Sequence, residues 1–314
     1  MTIEPSELAA SPSQEAQQKS VTWKGLAHLL VVYVVWGSTY LAIRVAVRPG
    51  SGFPPFIMGA TRTLVSGGLL LLLAVLLKKR VRLTKNELVI LAGAGLLLWL
   101  GGYGLVSWAE QRAHSLFAAL IIGSEPIFVA LIEMFLDRRS PSRTFVLSLI
   151  VGLAGIAVLS APVLTSGISA DMLSLAALLV AAVSWGSGSI LQQRKPVNIS
   201  PSASSGYQLL FGAVGLAFVA LLVREPLPNP TTDAWLAWLY LVIFGSIVAF
   251  TSYVQALQLL PISIVMTYPY VNPVVAIILG WLILGEPVTI WTITGAALVM
   301  LGVAGIFRTR QDSA

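Results

Sequence analysis

Cysteine is absent from the chain, histidine occurs twice, and Asp, Glu, Lys and Arg together make up only 10% of its 314 residues. Without a thiol there is neither a disulfide nor thiolate chemistry. His28 and His114 stand far apart, each near the end of an apolar run, so they offer no metal cluster or acid–base pair, and no metal or cofactor is expected. No glycine-rich loop runs into Lys-Ser or Lys-Thr, which excludes a Walker-type ATPase within this chain. The scarcity of charge excludes more than any of these. Soluble domains carry about 25% charged residues; a chain that is 57% hydrophobic with a mean hydropathy of +0.87 is instead an all-α integral membrane protein.

Apolar runs of roughly 17 to 25 residues, enough to span a bilayer, occur at 24–47, 54–77, 87–109, 114–136, 143–163, 171–193, 202–223, 235–258, 262–284 and 288–307. Ten transmembrane helices are therefore expected. Residues 1–20 are polar, lack a signal peptide's basic start and cleavage site, and read as a disordered tail, with a second short tail at 308–314. Placing both termini in the cytoplasm puts Lys78-Lys79-Arg80, Arg138-Arg139 and Arg194-Lys195 inside and leaves only Arg48, Arg112 and Arg224 outside. That asymmetry sets the orientation. The net charge of +6 is then explained by topology and lipid contact, with no nucleic-acid partner.

The stretch from Thr267 to Ile278 is apolar yet carries Tyr268, Tyr270, Asn272 and Pro273. It has a twin 147 residues earlier, where Asn272-Pro273 becomes Glu125-Pro126. Trp36-Gly-Ser38 likewise matches Trp185-Gly-Ser187 at an offset of 149, and Gly68 and Gly155 match Gly215 and Gly302 at 147. These offsets divide the chain into two five-helix units, 21–163 and 164–307. Because five is odd, the second unit enters the membrane from the opposite side. Inverted repeats whose helices are interrupted by polar residues and proline are the build of alternating-access transporters, with the solute near the midplane. A plain packed bundle does not explain a polar residue beside a proline at the same depth in both halves.

Together, Trp36-Gly-Ser-Thr-Tyr40, the apparent loop Val106-Ser-Trp-Ala-Glu-Gln111, the Glu125-Pro126 and Asn272-Pro273 pairs, and Gly285-Glu286-Pro287 resemble the EamA branch of the drug/metabolite transporter superfamily. The resemblance covers nearly all of the chain after residue 20. It implies ten helices, export from the cytoplasm across a bacterial-type inner membrane, a central cavity and proton coupling, and it is nearest to exporters of amino acids and related metabolites. One element departs: the Gly-Glu-Pro of the second half reads Arg139-Ser140-Pro141 in the first.

Two charges lie deep. At 1.5 Å per residue, Glu125 is roughly 16 Å and Arg62 roughly 12 Å below the outer ends of their helices. Each costs about 2.5–3.5 kcal/mol unless paired or wetted, and their similar depth allows either a structural ion pair or a coupling and carboxylate-binding site. Arg44 and Glu133 are close enough to helix ends to reach the interface. A cavity walled by Trp36, Tyr40, Tyr103, Trp108, Trp185, Tyr207, Tyr253, Tyr268 and Tyr270 would suit apolar or aromatic solutes and attract an amino group. Gln111, Gln255, Gln258 and Asn272 could supply oriented hydrogen bonds, and Pro126 and Pro273 could act as hinges. Trp23, Trp235, Trp238 and Trp291 read instead as interfacial belts. Gly93-Ala-Gly95 and Gly101-Gly-Tyr-Gly104 allow close packing or bending.

The expectation is a secondary exporter of small amphipathic metabolites, amino acids with aromatic or other hydrophobic side chains foremost, whose partners are its solute, the bilayer and protons. The alternative within transport is a broad multidrug or cationic-compound exporter, against which the fewness of buried acids counts. A membrane-embedded enzyme or lipid-handling protein would need His or Asp clusters, and a channel would need a ring of like charge.

Overall fold

The computed structural model describes residues 21–112, 118, 121–138, 140–165, 172–284 and 289–311. The expected tail at 1–20, His114, Arg139, the Gly285-Glu286-Pro287 turn and most of the 164–170 connection lie outside them.

Every regular element among the described residues is a helix. Polar caps start several of them. α1 (Trp23–Val47) begins behind Thr22, whose Oγ1 accepts the Gly25 N–H at 3.2 Å. α3 (Lys85–Ala109) begins with a reciprocal capping box between Thr84 and Glu87, which satisfies two donors that the first turn leaves open. α2 (Pro55–Leu76) is capped from elsewhere in the chain: the Phe56 and Ile57 N–H groups donate to the Glu225 carboxylate at 3.0 and 2.8 Å. Burial pushes the Glu225 carboxyl above its ordinary range, and those two N–H groups pull it back. Basic residues in the left-handed region, Lys78, Arg138 and Arg224, follow the ends of α2, of α4 (Glu125–Asp137) and of α7 (Pro201–Leu222), where positive charge meets the negative pole of a helix.

The remaining helices are α5 (Arg143–Thr165), α6 (Met172–Arg194), α8 (Thr232–Leu259), the single turn α9 (Ile262–Val265), α10 (Tyr268–Leu284) and α11 (Ile290–Gln311). Seven helices, α1, α2, α3, α6, α7, α8 and the Ile290–Thr309 part of α11, are long and apolar enough to cross a membrane. The chain is a multi-pass membrane protein. Its outer faces agree: Leu72, Leu76, Phe135, Phe218 and Leu221 are all more than half exposed, a surface suited to lipid rather than water.

The two segments expected to carry the central path are both interrupted. Where the sequence reading runs one helix through 114–136, the chain breaks at Gly123-Ser124 and restarts at Glu125; the Ser124 hydroxyl donates back to the Ile121 carbonyl at 2.6 Å. Where it runs 262–284 together, the chain breaks at Met266-Thr267, and the Thr267 hydroxyl donates to the Ile264 carbonyl at 2.6 Å. A hydroxyl that takes up a carbonyl in this way competes with the helical ladder. The supposed loop from Val106 is helical as far as Ala109, so α3 runs farther than that motif suggests.

Two long pairings organise the periphery. α2 lies along α7, with Gly67 and Gly206 in backbone contact, and α5 lies along α11, with Gly155 against Val299 and Gly302 against Gly152. α1 runs through the centre against α8 and α10. Neither expected interfacial charge stands alone. Glu133 is 3.9 Å from Arg194, which also binds Asp137 through two bonds of 2.8 and 2.7 Å, and Arg44 donates to the main-chain oxygen of Glu110.

Candidate functional site

Four helices present regularly spaced faces to one central cavity of about 80 Å³. On α1 these are Trp36, Thr39, Tyr40 and Ile43, spaced as one helical stripe. On α3 they are Trp99, Gly102, Tyr103 and Val106, the first three carried by a π-helical stretch over Leu96–Gly104. α6 adds Ala181 and Trp185, α10 adds Tyr268 and Asn272, and Arg62 of α2 and Glu125 of α4 complete the polar part of the wall.

The Trp-Gly-Ser elements explain how the halves meet. Trp36 and Trp185 come edge to face, with ring centroids 5.4 Å apart. The glycine after each sits against the polar and proline-bearing helix of the other half. A Cβ at Gly37 would lie 2.8 Å from Val275 and 3.1 Å from the Asn272 carbonyl; one at Gly186 would lie 2.7 Å from Val129 and 3.9 Å from Glu125 Cγ. Neither approach has room for a larger residue.

Arg62 and Glu125 line the same cavity but form no ion pair with each other. The Arg62 Nε donates to Ser246 Oγ at 2.7 Å, and the guanidinium carbon lies 4.7 Å from the Tyr103 ring and 5.3 Å from the Trp99 ring. Its position depends on Gly245, where an added Cβ would come within 2.7 Å of Arg62 Nη2. Gly245 and Ser246 belong to a second π-helical stretch, Leu241–Val248 of α8; such turns recur at functional sites. Glu125 opens α4, at the positive pole of that helix, and its Oε2 accepts the Tyr268 hydroxyl at 2.8 Å. Arg62 Nη1 and Glu125 Oε1 are both buried with no hydrogen-bonding partner among the described residues. Trp36 touches both settings: its indole N–H donates to the Gly245 carbonyl at 3.1 Å, and its ring meets that of Tyr268 at 5.1 Å.

Of the other residues singled out in the sequence, Tyr253 lies behind the wall, accepting from Trp185 Nε1 at 3.1 Å and pairing with Ser189 Oγ at 2.5 Å. Asn272, with its amide nitrogen turned to the carbonyls of Tyr33 and Tyr268 at 3.3 and 3.1 Å, bridges α1 and α10. The structure does not bring the rest to the cavity. Trp108 and Gln111 line a separate crevice beside Arg48, Phe53 and Arg224, with Arg112 4.5 Å over the Trp108 ring. Tyr207 donates to the Val81 carbonyl at 2.7 Å, Tyr270 to the Leu149 carbonyl at 3.1 Å, Gln258 borders a small pocket near Lys195, and half-buried Gln255 lines neither cavity nor crevice. A ring or amide at membrane depth can face a neighbouring helix as readily as a cavity, and depth alone does not separate the two. Trp238, assigned to a belt, is half-buried and donates to Thr61 Oγ1 at 3.1 Å. Pro126 stands in the first turn of α4, and Pro273 inside α10.

Sequence reasoning missed Trp99, 1% exposed and in contact with Arg62, although its spacing of four from Tyr103 was a signal. It also missed Glu110, a fully buried acid whose two carboxyl oxygens have no hydrogen-bonding partner among the described residues.

The same two halves appear in comparison with known proteins. The EamA-like transporter family matches residues 23–161 and again 172–308. The chain belongs to the EamA-like transporter family. An uncharacterized inner membrane transporter of Escherichia coli K12, YedA, is 32% identical over 261 residues, covering 82% of each chain. The uncharacterized transporter YoaV of Bacillus subtilis is 24% identical across 89% of this chain and 95% of its own. A crystal structure at 21% identity superposes with a TM-score of 0.74 over 92% of this chain and 98% of that one, which establishes the shared fold. Family and relatives make this a membrane transporter rather than an enzyme.

Proposed function

We propose that this EamA-family transporter is a secondary exporter of small amphipathic metabolites, amino acids with aromatic or other hydrophobic side chains first among them, working by alternating access with proton exchange at Glu125. One observation carries the reading: a single ring-walled cavity holds a buried acid and a buried base, and each family repeat contributes to its walls. The reciprocal seating of Gly37 on α10 and of Gly186 on α4 supports two inverted five-helix units, 21–163 and 164–307, with ten spans and both tails, 1–20 and 308–314, in the cytoplasm. Rocking one unit against the other would open the cavity to alternate sides. The name of the Escherichia coli relative supports an inner-membrane location.

Counterflow of labelled L-phenylalanine and L-leucine in proteoliposomes tests the solute class; accumulation against an unlabelled pool is expected, and none would sink it. The chain's lack of cysteine makes topology easy to test by single-cysteine labelling. Residues 78–86, 138–143 and 195–200 should label from the cytoplasmic side and 48–53, 164–170 and 224–233 from outside; external labelling of 78–86 would overturn the orientation.

A further inference from the structure

The central cavity holds two opposite charges that do not satisfy each other. Arg62 is 2% exposed and Glu125 0%, and each keeps one polar atom, Nη1 and Oε1, with no hydrogen-bonding partner among the described residues. Around them the wall is mainly aromatic and aliphatic. Buried charge without a counter-ion is costly, and the simplest relief, a direct ion pair, is not made. Each charge is instead held by its own fixed support: Arg62 by Ser246 and the Tyr103 and Trp99 rings, Glu125 by the Tyr268 hydroxyl. Trp36 touches Tyr268 with its ring and the carbonyl of Gly245, next to Ser246, with its indole N–H. An acid and a base kept apart across an apolar cavity form a receptor for a molecule that carries both charges and an apolar body.

We infer that the cavity recognises zwitterions from both ends, Arg62 taking the carboxylate through Nη1 and Glu125 taking the ammonium through Oε1, with the apolar body of the solute against the rings. The inference rests on the exporter reading above. Charged ends each gain a charge-assisted hydrogen bond in a water-poor site, so a solute lacking either end forfeits one such bond and leaves one protein charge uncompensated. An amine of the same shape would leave Arg62 unmatched; an acid of the same shape would leave Glu125 unmatched. This separates the site from one built for cations, in which Arg62 would repel the ligand.

The test is equilibrium binding to the purified full chain in detergent, using labelled L-phenylalanine competed by unlabelled L-phenylalanine, phenethylamine and 3-phenylpropionate, and repeated with L-leucine, isoamylamine and 4-methylpentanoate. In the wild type each amino acid should bind about tenfold or more tighter than either one-ended analogue. Arg62→Gln should bring the amino acid down to the level of its amine while changing the amine little. Glu125→Gln, whose amide oxygen still accepts from an ammonium, should weaken the amino acid severalfold toward its acid analogue. Amines that compete as well as amino acids in the wild type would overturn the inference, as would variants that weaken all three ligands equally. If Arg62→Gln does not elute as a single folded species, the wild-type ranking and Glu125→Gln decide the matter. Should labelled amino acids neither bind nor undergo counterflow, the amino-acid reading itself fails and this inference with it; should they exchange while amines bind equally well, only this inference fails.

Discussion

The segments around Glu125-Pro126 and Asn272-Pro273 descend from the same place in the two halves of the chain, yet they fold differently. In the first, the helix breaks directly before the polar residue, so Glu125 becomes the first residue of α4 and Pro126 the second. In the second, the break comes at Met266-Thr267, and Asn272-Pro273 lies a full turn inside α10. The same device, a hydroxyl bonded to the carbonyl three residues back, ends the preceding helical turn in both. Its position differs by four residues once the offset of 147 is applied, Ser124 corresponding to Val271 and Thr267 to Leu120, which lies outside the described residues. The displacement changes what each half offers. The first gives the cavity a carboxylate with one oxygen unclaimed; the second gives it an amide whose nitrogen is occupied by two carbonyls. One half therefore supplies a group able to exchange a proton, and the other a fixed brace.

The largest expected effect follows from that division. Glu125→Gln keeps the shape and the bond from Tyr268 but cannot titrate, so uptake driven by an imposed pH gradient should vanish while counterflow at saturating solute persists. Asn272→Ala removes the bridge between α1 and α10 and should lower the melting temperature without uncoupling transport. Gradient-driven uptake that survives in Glu125→Gln liposomes, or that disappears in Asn272→Ala, would break the distinction.

How much of this was legible in the sequence depends on what each feature answers to. The positions of the seven long apolar helices follow from bilayer thickness and hydropathy, and the place of Trp36 and Trp185 on one wall was signalled by a repeated motif, so both could be read from residue order. The helix breaks could not, because they turn on which of several hydroxyls takes a backbone carbonyl, a choice made between Ser124 and its neighbours in space. Trp108 falls off the α3 stripe of Trp99, Gly102, Tyr103 and Val106, and with Gln111 it lines the separate crevice instead. Arg62 lay at the right depth, but its separation from Glu125 depends on the bare Cα of Gly245, a contact 183 positions away that no local pattern announces. Glu110 was hidden because its segment looked like a loop, where a charge needs no explanation.

The wall residues give the next largest effects. Trp36→Ala and Trp185→Ala, one in each half, should each lower transport about tenfold, since each loses ring packing on several sides as well as contact with solute. Trp235→Ala, 49% exposed and in contact with Phe53, should change it less than about twofold. A wide gap between the two cavity tryptophans would show that the halves contribute unequally to the wall. Gly245→Ala comes next: displacing the Arg62 guanidinium should destabilise the protein by about 1–3 kcal/mol, as overpacking does, and weaken transport. Gly68→Ala, where an added Cβ meets nothing within 4 Å, is the matched control and should leave the melting temperature the same or slightly higher.

The smallest effect on folding, and the sharpest comparison of the two segments, comes from the prolines. Pro126 sits in the first turn of α4, where its missing N–H has no carbonyl to serve and its fixed φ suits the helix. Pro126→Ala should therefore shift stability by less than about 0.5 kcal/mol. Pro273 is interior, and its missing N–H leaves the Pro269 carbonyl without its helical donor. Alanine there would restore the donor, a substitution worth up to about 3 kcal/mol on intrinsic propensity alone, of which lost packing around the proline ring should offset most. A modest rise in melting temperature is expected for Pro273→Ala, accompanied by slower transport if the missing hydrogen bond lets α10 move against α1. Melting curves and counterflow rates for the two variants side by side decide it. Equal shifts in both would mean that the proline position within each helix is immaterial, and that the four-residue displacement between the halves carries no mechanical consequence.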